Sequence, residues 1–354
     1  NLDGGRFNKI AQPEPDALVI TAKGANGQRR LLLSASASLP LIYFIDKNKP
    51  GPLTAPNFCM LLRKHIGSAR ISGIRQPGLE RAIEFELEHL NEMGDPCRKI
   101  LILELMGKHS NIIFCDEDRN ILDSIKHVSS HMSSVREVLP GRKYFLPQTQ
   151  EKSDPLTIGE EEFIEKVCKK PCSISKALYT SLTGLSPLIS EEICYRASID
   201  GSDAALSLNE TACIHLYHTF KRLIDQVKEG DFTPNIIYRG QEPVEYAVLP
   251  LTQFGAEYHS EEFPTVSAML DTYYSSRDTL NRIRQKSSDL RRIVQTALER
   301  NRKKYTLQQK QMMDTAKKDK YKIYGELINT YGYGLEEGAR SFQALNYYTN
   351  EEIT

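Results

Sequence analysis

The sequence predicts an α+β protein, and three observations carry that prediction. Residues 5–45 and 83–125 consist of short alternating or apolar runs punctuated by turn residues, the pattern of antiparallel strands. Residues 155–230 switch to apolar spacings of three and four, the period of an amphipathic helix. From Thr265 the chain turns helical, and 277–320 reads as one long helix.

Composition sets the frame for these elements. With 354 residues, 40% hydrophobic and 26% charged, the chain has globular composition and length for two or three domains. Its longest uncharged apolar runs, such as 38–45 and 100–103, are too short to span a membrane. The polar opening Asn1-Leu2-Asp3-Gly4-Gly5-Arg6 carries no signal-peptide pattern, and seven cysteines without framework spacing suit a reducing cytosol. A cytoplasmic protein with no membrane partner is expected, not a secreted disulfide scaffold.

Taken in order, 7–11, 17–21, 30–35 and 41–44 read as strands of a meander. Pro13-Glu14-Pro15 and Gly24-Ala25-Asn26-Gly27 supply turns, the second a hairpin signal because Asn-Gly accepts positive φ. Thr54-Ala55-Pro56 opens a helix over about 56–66, with Thr54 the candidate N-cap. Strict alternation over Ile83-Glu84-Phe85-Glu86-Leu87-Glu88 makes the three glutamates the wet face of a strand. Strands over 99–106, 111–115 and 120–125 follow, with Asp116-Glu117-Asp118 as a turn. Leu139-Pro140-Gly141 and Pro147 mark the exit from a first domain, 1–153.

Helices over 160–169, 174–181, 190–196 (N-cap Ser190) and 209–228 form a second domain, 154–233. Residues 235–263 return to strand-like runs, and 235–270 is expected to rejoin the first sheet. The third part, 271–354, begins with a partial heptad seam, Leu280, Ile283, Leu290, Val294 and Ala297, which fades after Asn301.

Charge and motifs narrow the function. Basic and acidic residues balance at 46 each, yet 277–320 holds fourteen Lys and Arg against five Asp and Glu, an excess of nine positive charges. A polyanion would be drawn to that segment, and a solvated helix using Lys and Arg for helix propensity accounts for it equally. The chain has no nucleophile-elbow, zinc-protease, P-loop or dinucleotide signature. Cys168/Cys172 and His215/His218 lack the further ligands a zinc site needs. No metal and no cofactor are expected.

Three small polar clusters stand out. Gly184-Leu185-Ser186, between two helices, is either a backbone cradle for a phosphate or an ordinary helix corner. Gln76-Pro77-Gly78-Leu79-Glu80-Arg81 sets an acid beside a guanidinium just before a strand. After Gly107 breaks a strand ladder, Lys108-His109-Ser110-Asn111 brings more polar chemistry than a turn requires.

With these clusters on the page, the chain resembles the NFACT family, in order and over essentially its whole length. The motifs are Phe7-Asn8-Lys9-Ile10 with Gln12-Pro13, Phe58-Cys59-Met60-Leu61-Leu62-Arg63-Lys64-His65, and Glu104-Leu105-Met106-Gly107-Lys108-His109-Ser110-Asn111-Ile112-Ile113. Leu122-Asp123-Ser124-Ile125-Lys126-His127, Leu139-Pro140-Gly141 and Tyr324-Gly325-Glu326-Leu327 complete the set. The resemblance implies a glycosylase-like N-terminal NFACT domain, a helix-hairpin-helix domain and the base of a coiled-coil arm. It also implies a fragment, with the family's first helix, the rest of the arm and the C-terminal region outside it.

For function, the resemblance implies ribosome-associated quality control. Such a protein binds the large (50S) ribosomal subunit carrying a stalled peptidyl-tRNA nascent chain. It recruits tRNA, alanyl-tRNA in bacteria, for C-terminal tailing without mRNA, while the ribosome makes the peptide bond, so no enzyme activity is expected. The family's Asp-Arg pair, implicated in tRNA recognition, falls on Glu80-Arg81, where the acid is one methylene longer. Arg63, Lys64, Gly107, Lys108, His109, Ser110, Asn111 and Lys126 are further candidate tRNA-binding residues. Gly184 and Ser186 are candidate backbone donors to phosphate, and Arg282, Arg284, Lys286, Arg291, Arg292, Arg302, Lys303 and Lys304 are candidate contacts to RNA backbone. The alternative is an extracellular adhesin whose partner is fibronectin.

Overall fold

The alternating runs do pair as strands. The computed structural model describes the chain except residues 1, 3, 26, 47, 48, 50, 92 and 148–150; for 276–289 and 316 it describes the backbone alone. The chain divides into two units, Asn1–Arg277 and Asp278–Thr354. In the first, β1 (Arg6–Glu14), β2 (Ala17–Gly24), β3 (Gly27–Ala35) and β4 (Pro40–Ile45) form an antiparallel meander. The β2–β3 hairpin closes with Gly24 opposite Gly27, which sits at φ +95°, open to glycine because it has no Cβ. Asn26, the other half of the expected hairpin signal, lies outside the described residues.

Helix α1 (Asn57–Ile66) follows Pro56 with no side-chain cap, so Thr54 does not serve as one; it buries Phe58, Cys59, Leu62 and Ile66. Next come β5 (Arg70–Arg75), β6 (Ala82–Leu90), β7 (Pro96–Glu104), β8 (Asn111–Asp116) and β9 (Ile121–Ser124), giving one nine-stranded sheet ordered β4-β3-β2-β1-β5-β6-β7-β8-β9. β5 was not anticipated, since Arg70, Gly73 and Arg75 interrupt any apolar alternation. It joins the two halves of the sheet: Phe7 N–H donates to Ala69 O at 2.9 Å and Ile71 N–H to Gly5 O at 2.8 Å. Phe7, Ile10, Leu18, Leu33, Leu62, Phe85, Leu101 and Phe114 share one buried cluster, and β3 approaches β7 and β8. The sheet therefore curls around a common interior that α1 helps to fill.

The other face of β6–β9 is covered too. Ile100, Ile102, Ile113 and Ile121 are buried with Val138 and Tyr144 from the segment after β9. That cover corrects the reading of Glu84 as a wet residue: it is 4% exposed and accepts from both Arg119 Nη atoms at 2.9 and 2.7 Å. Glu104, fully buried, accepts from Tyr144 Oη at 2.9 Å and from Arg136. Burial, together with the Glu104 charge, pushes the Tyr144 phenol upward, so it stays a donor.

The helical region matches its predicted period. α2 (Glu160–Phe163) runs on into a wider turn to Cys168. With α3 (Ile174–Ser181), α4 (Pro187–Arg196) and α5 (Glu210–Glu229) it packs around Phe163, Leu178, Ile193, Leu216 and Phe220. α4 starts earlier than the spacing suggested: Ser186 is its N-cap, accepting from Ile189 N at 3.2 Å, and Pro187 occupies the first turn. Ser190 is instead buried inside α4, donating to Ser186 O at 2.9 Å.

Residues 235–262 do not rejoin the large sheet. β10 (Asn235–Arg239), β11 (Glu242–Ala247) and β12 (Tyr258–Glu262) form a separate sheet ordered β11-β10-β12. Both edges of β10 are already paired there. This sheet docks through Ile237 and Leu251 on Leu188 and Ile189 of α4, and through Ile236 and Tyr238 on Met269, Tyr273 and Tyr43. Buried Glu192 of α4 fixes the following loop, accepting from Thr252 N, Thr252 Oγ1 and Gln253 N at 2.8, 2.7 and 3.1 Å while Arg196 Nε donates to it at 2.6 Å.

Helix α6 (Val266–Tyr331) enters the second unit, where Leu290, Val294 and Ala297 of the expected seam are exposed; the side chains of Leu280 and Ile283 lie outside the described residues. A short hairpin, β13 (Ala344–Asn346) and β14 (Glu351–Ile353), follows it, and Tyr348 Oη donates to Glu326 at 3.0 Å. Among the described residues, no helix is long and apolar enough to cross a membrane.

Candidate nucleic-acid interface

The start of β6, the end of β7 and the start of β8 lie side by side, with Ala82 opposite Glu104 and Glu104 opposite Asn111. This end of the sheet gathers two of the polar clusters. The loop before β6 turns tightly: Glu80 N–H donates to Pro77 O at 3.0 Å, Gln76 Nε2 donates to Glu80 O at 2.8 Å, and Gly78 stands at φ +53°. Leu105 N–H donates to Arg81 O at 2.8 Å, so the Arg81 backbone is locked while its side chain is exposed. Among the described residues, no ion pair or hydrogen bond engages its guanidinium, and Glu80 does not pair with it.

The third cluster meets this loop from the helical side. Gly184 adopts φ +77°, and a Cβ there would stand 2.5 Å from Leu79 Cβ and 2.7 Å from Leu79 O. The α3–α4 corner thus rests directly on the loop that carries Glu80 and Arg81. Thr183 N–H donates to Ser153 O at 3.0 Å and fixes the approach. The Ser186 hydroxyl is spent as the α4 cap, and Pro187 has no N–H, so the corner offers fewer donors to a phosphate than its small residues suggested.

Two cations that sequence reasoning missed complete the arrangement. Lys152 Nζ donates to Tyr179 O at 2.8 Å, and Lys170 Nζ donates to Thr180 Oγ1 at 3.1 Å and Ser181 Oγ at 2.9 Å. Burial disfavours the Lys152 charge and lowers its pKa; the Arg81 and Lys170 charges add to this and the Glu80 carboxylate opposes it. The sole sequence signal was the Lys169-Lys170 pair, which lies between Cys168 and Cys172. Lys152 stood in no pattern at all.

The remaining predicted residues divide. Lys108 and His109 are exposed on the turn after Gly107, which takes φ +58°. Ser110 and Asn111 are buried, which corrects their reading as RNA contacts: Ser110 Oγ accepts from Met106 N at 2.8 Å, and Asn111 Nδ2 donates to Lys126 O at 2.8 Å. Lys126 Nζ donates to Ala35 O, and Arg63 Nε to Ile10 O at 2.7 Å, so both cations brace the sheet. Lys64 is exposed. No cluster of metal-ligating side chains occurs among the described residues.

Comparison with known proteins follows from this geometry. The family model described as "NFACT N-terminal and middle domains" matches residues 1–354. The chain belongs to the NFACT family. It is 34% identical over 355 residues to the Rqc2 homolog RqcH of Bacillus subtilis, covering 99% of this chain and 59% of that protein, and 30% identical to the Rqc2 homolog RqcH of Streptococcus suis, again over 59% of its length. The chain therefore spans less than two thirds of these curated relatives. Among solved structures, the fibrinogen-binding protein from Staphylococcus aureus aligns at TM-score 0.66 and 28% identity, over 77% of this chain and 93% of that one. The N-terminal part of the fibronectin/fibrinogen-binding protein from Streptococcus suis aligns at 0.64 and 30%, over 78% and 93%.

In the second unit of this NFACT chain the cations expected to contact RNA backbone divide. Arg291, Arg292, Arg302, Lys303 and Lys304 are exposed on α6, and the side chains of Arg282, Arg284 and Lys286 lie outside the described residues.

Proposed function

We propose that this chain is the tRNA- and ribosome-binding part of a ribosome-associated quality-control factor. One observation carries the reading: the loop bearing Glu80 and Arg81, the Gly184 corner and two further lysines converge at one end of the sheet. The names of the RqcH relatives support it. In this reading α3, the Gly184 corner and α4 act as a helix-hairpin-helix, and α6 is the base of a coiled-coil arm whose exposed cations follow RNA backbone. Arg81 contacts tRNA, with Lys108 and His109 at the same end of the sheet and Lys64 a further exposed cation on α1, suiting RNA recognised by shape through dispersed cations. The whole protein binds the large ribosomal subunit with its stalled peptidyl-tRNA and brings in tRNA for tailing. The ribosome makes the bond, so the factor works in the cytoplasm without catalysis or cofactor of its own.

Equilibrium binding of tRNA to the purified protein at low salt tests this. Arg81→Ala should weaken binding about tenfold, in line with about 1–3 kcal/mol for one specific contact. Undiminished binding removes Arg81 from the interface. The titles of the structural neighbours favour a second reading, fibronectin binding. Capture of immobilised fibronectin by a protein that ignores tRNA would replace the first reading with the second.

A further inference from the structure

We infer that Lys152 and Lys170 are ligands for RNA phosphodiesters, forming with Arg81 a three-cation clamp across the junction of the 76–81 loop and the α3–α4 corner. The inference rests on the RNA-binding reading above and adds to it the groups that hold the backbone.

Both ammonium groups are anchored on one short stretch, residues 179–181 at the end of α3. Each is held by neutral oxygens: a carbonyl for Lys152, two hydroxyls for Lys170. Neutral partners position an ammonium group without cancelling its charge. A lysine near a helix C-terminus is itself a common stabilising feature, because the last carbonyls need donors. That explains one lysine on Tyr179 O. It does not explain why the same place also draws in Lys170 and, from another part of the chain, Arg81.

Lys152 thus has two other cations, Arg81 and Lys170, acting on it against the Glu80 carboxylate, and their charges add to the burial that disfavours its own. For the isolated fold the three positive charges repel one another. An anion lodged among the three relieves that repulsion and favours the charged form of Lys152. The groups come from three stretches of chain that meet where Gly184 lies against Leu79. A run of spaced charges fits that layout better than one small anion in a cavity, and a phosphodiester backbone supplies such a run.

The test is the salt dependence of tRNA binding by the purified protein, for wild type, Lys152→Ala, Lys170→Ala and Lys152→Arg, each checked for an unchanged melting temperature. Each alanine variant should bind three- to tenfold more weakly at moderate salt. It should also flatten the slope of log affinity against log salt by about 0.7–1. Lys152→Arg keeps the charge and should keep the wild-type slope, and it stands in if Lys152→Ala melts early. Alanine variants with wild-type affinity and slope overturn the clamp, while a parallel loss in Arg81→Ala leaves the RNA-binding reading standing. Wild-type protein that binds no tRNA at any salt overturns both.

Discussion

Arg119 stands at φ +63°, in a region that costs a residue with a Cβ about 1–2 kcal/mol. The Asp116-Glu117-Asp118 sequence announced a turn, and Asn120 closes it by donating from N and Nδ2 to Asp116 at 2.7 and 2.9 Å. Nothing in the sequence showed that the strained position would be an arginine, because its reason lies 35 residues away in buried Glu84. Replacing Arg119 by Gly relieves the strain but orphans that carboxylate, so unfolding in denaturant should show a loss of about 3 kcal/mol. Adding Glu84→Gln should restore part of it. A loss below about 1 kcal/mol would mean that Arg75, 4.0 Å from Glu84, compensates. The same limit governs the site. Arg81 was readable because it sits in a distinctive loop, whereas Lys152 and Lys170 acquire their role only from the end of α3. Ser110 and Asn111 drew notice as polar residues, yet polarity alone could not tell an exposed contact from a buried brace.

Elements were more legible than residues wherever their period was local. The four meander strands, β6 to β9 and α2 to α5 follow from alternation and helical spacing. β5 escaped because its stability comes from pairing along β6, with a short junction to β1, rather than from its own pattern. The separate sheet of β10, β11 and β12 was recognised as strands and assigned to the wrong sheet, since pairing partners are not written in periodicity. The α3–α4 corner has an element-scale consequence. Gly184→Ala meets both positive φ and the Leu79 overlap, and should cost about 3 kcal/mol while lowering tRNA affinity several-fold. Gly230, at φ +69° beyond α5 with nothing within 4 Å, is its control. Gly230→Ala should cost about 1 kcal/mol and leave tRNA affinity unchanged. Equal effects of the two variants on affinity would show that the corner does not set the position of Arg81.

At the scale of the whole molecule, the α+β class followed from the switch in period along the chain. The closing of nine strands around one core did not, because β1–β5 pairing is long-range. All seven cysteines are free, as the lack of framework spacing implied, and burial with the neighbouring Asp116 charge pushes the Cys115 thiol up to about 12. Charge balance over the chain hid two unlike features: an excess of cations along α6, legible in sequence, and a small crowded cluster at the sheet end, legible only in three dimensions. Ultraviolet cross-linking of tRNA to the purified protein, with the attached peptides identified by mass spectrometry, examines both together. Cross-links should fall in 76–81, 107–109 and 152–154 with further ones along 290–304, and those in the first unit should vanish in Arg81→Ala combined with Lys152→Ala. Cross-links confined to β10, β11 and β12, or retained by that double variant, would contradict an RNA site at the Arg81 end of the sheet.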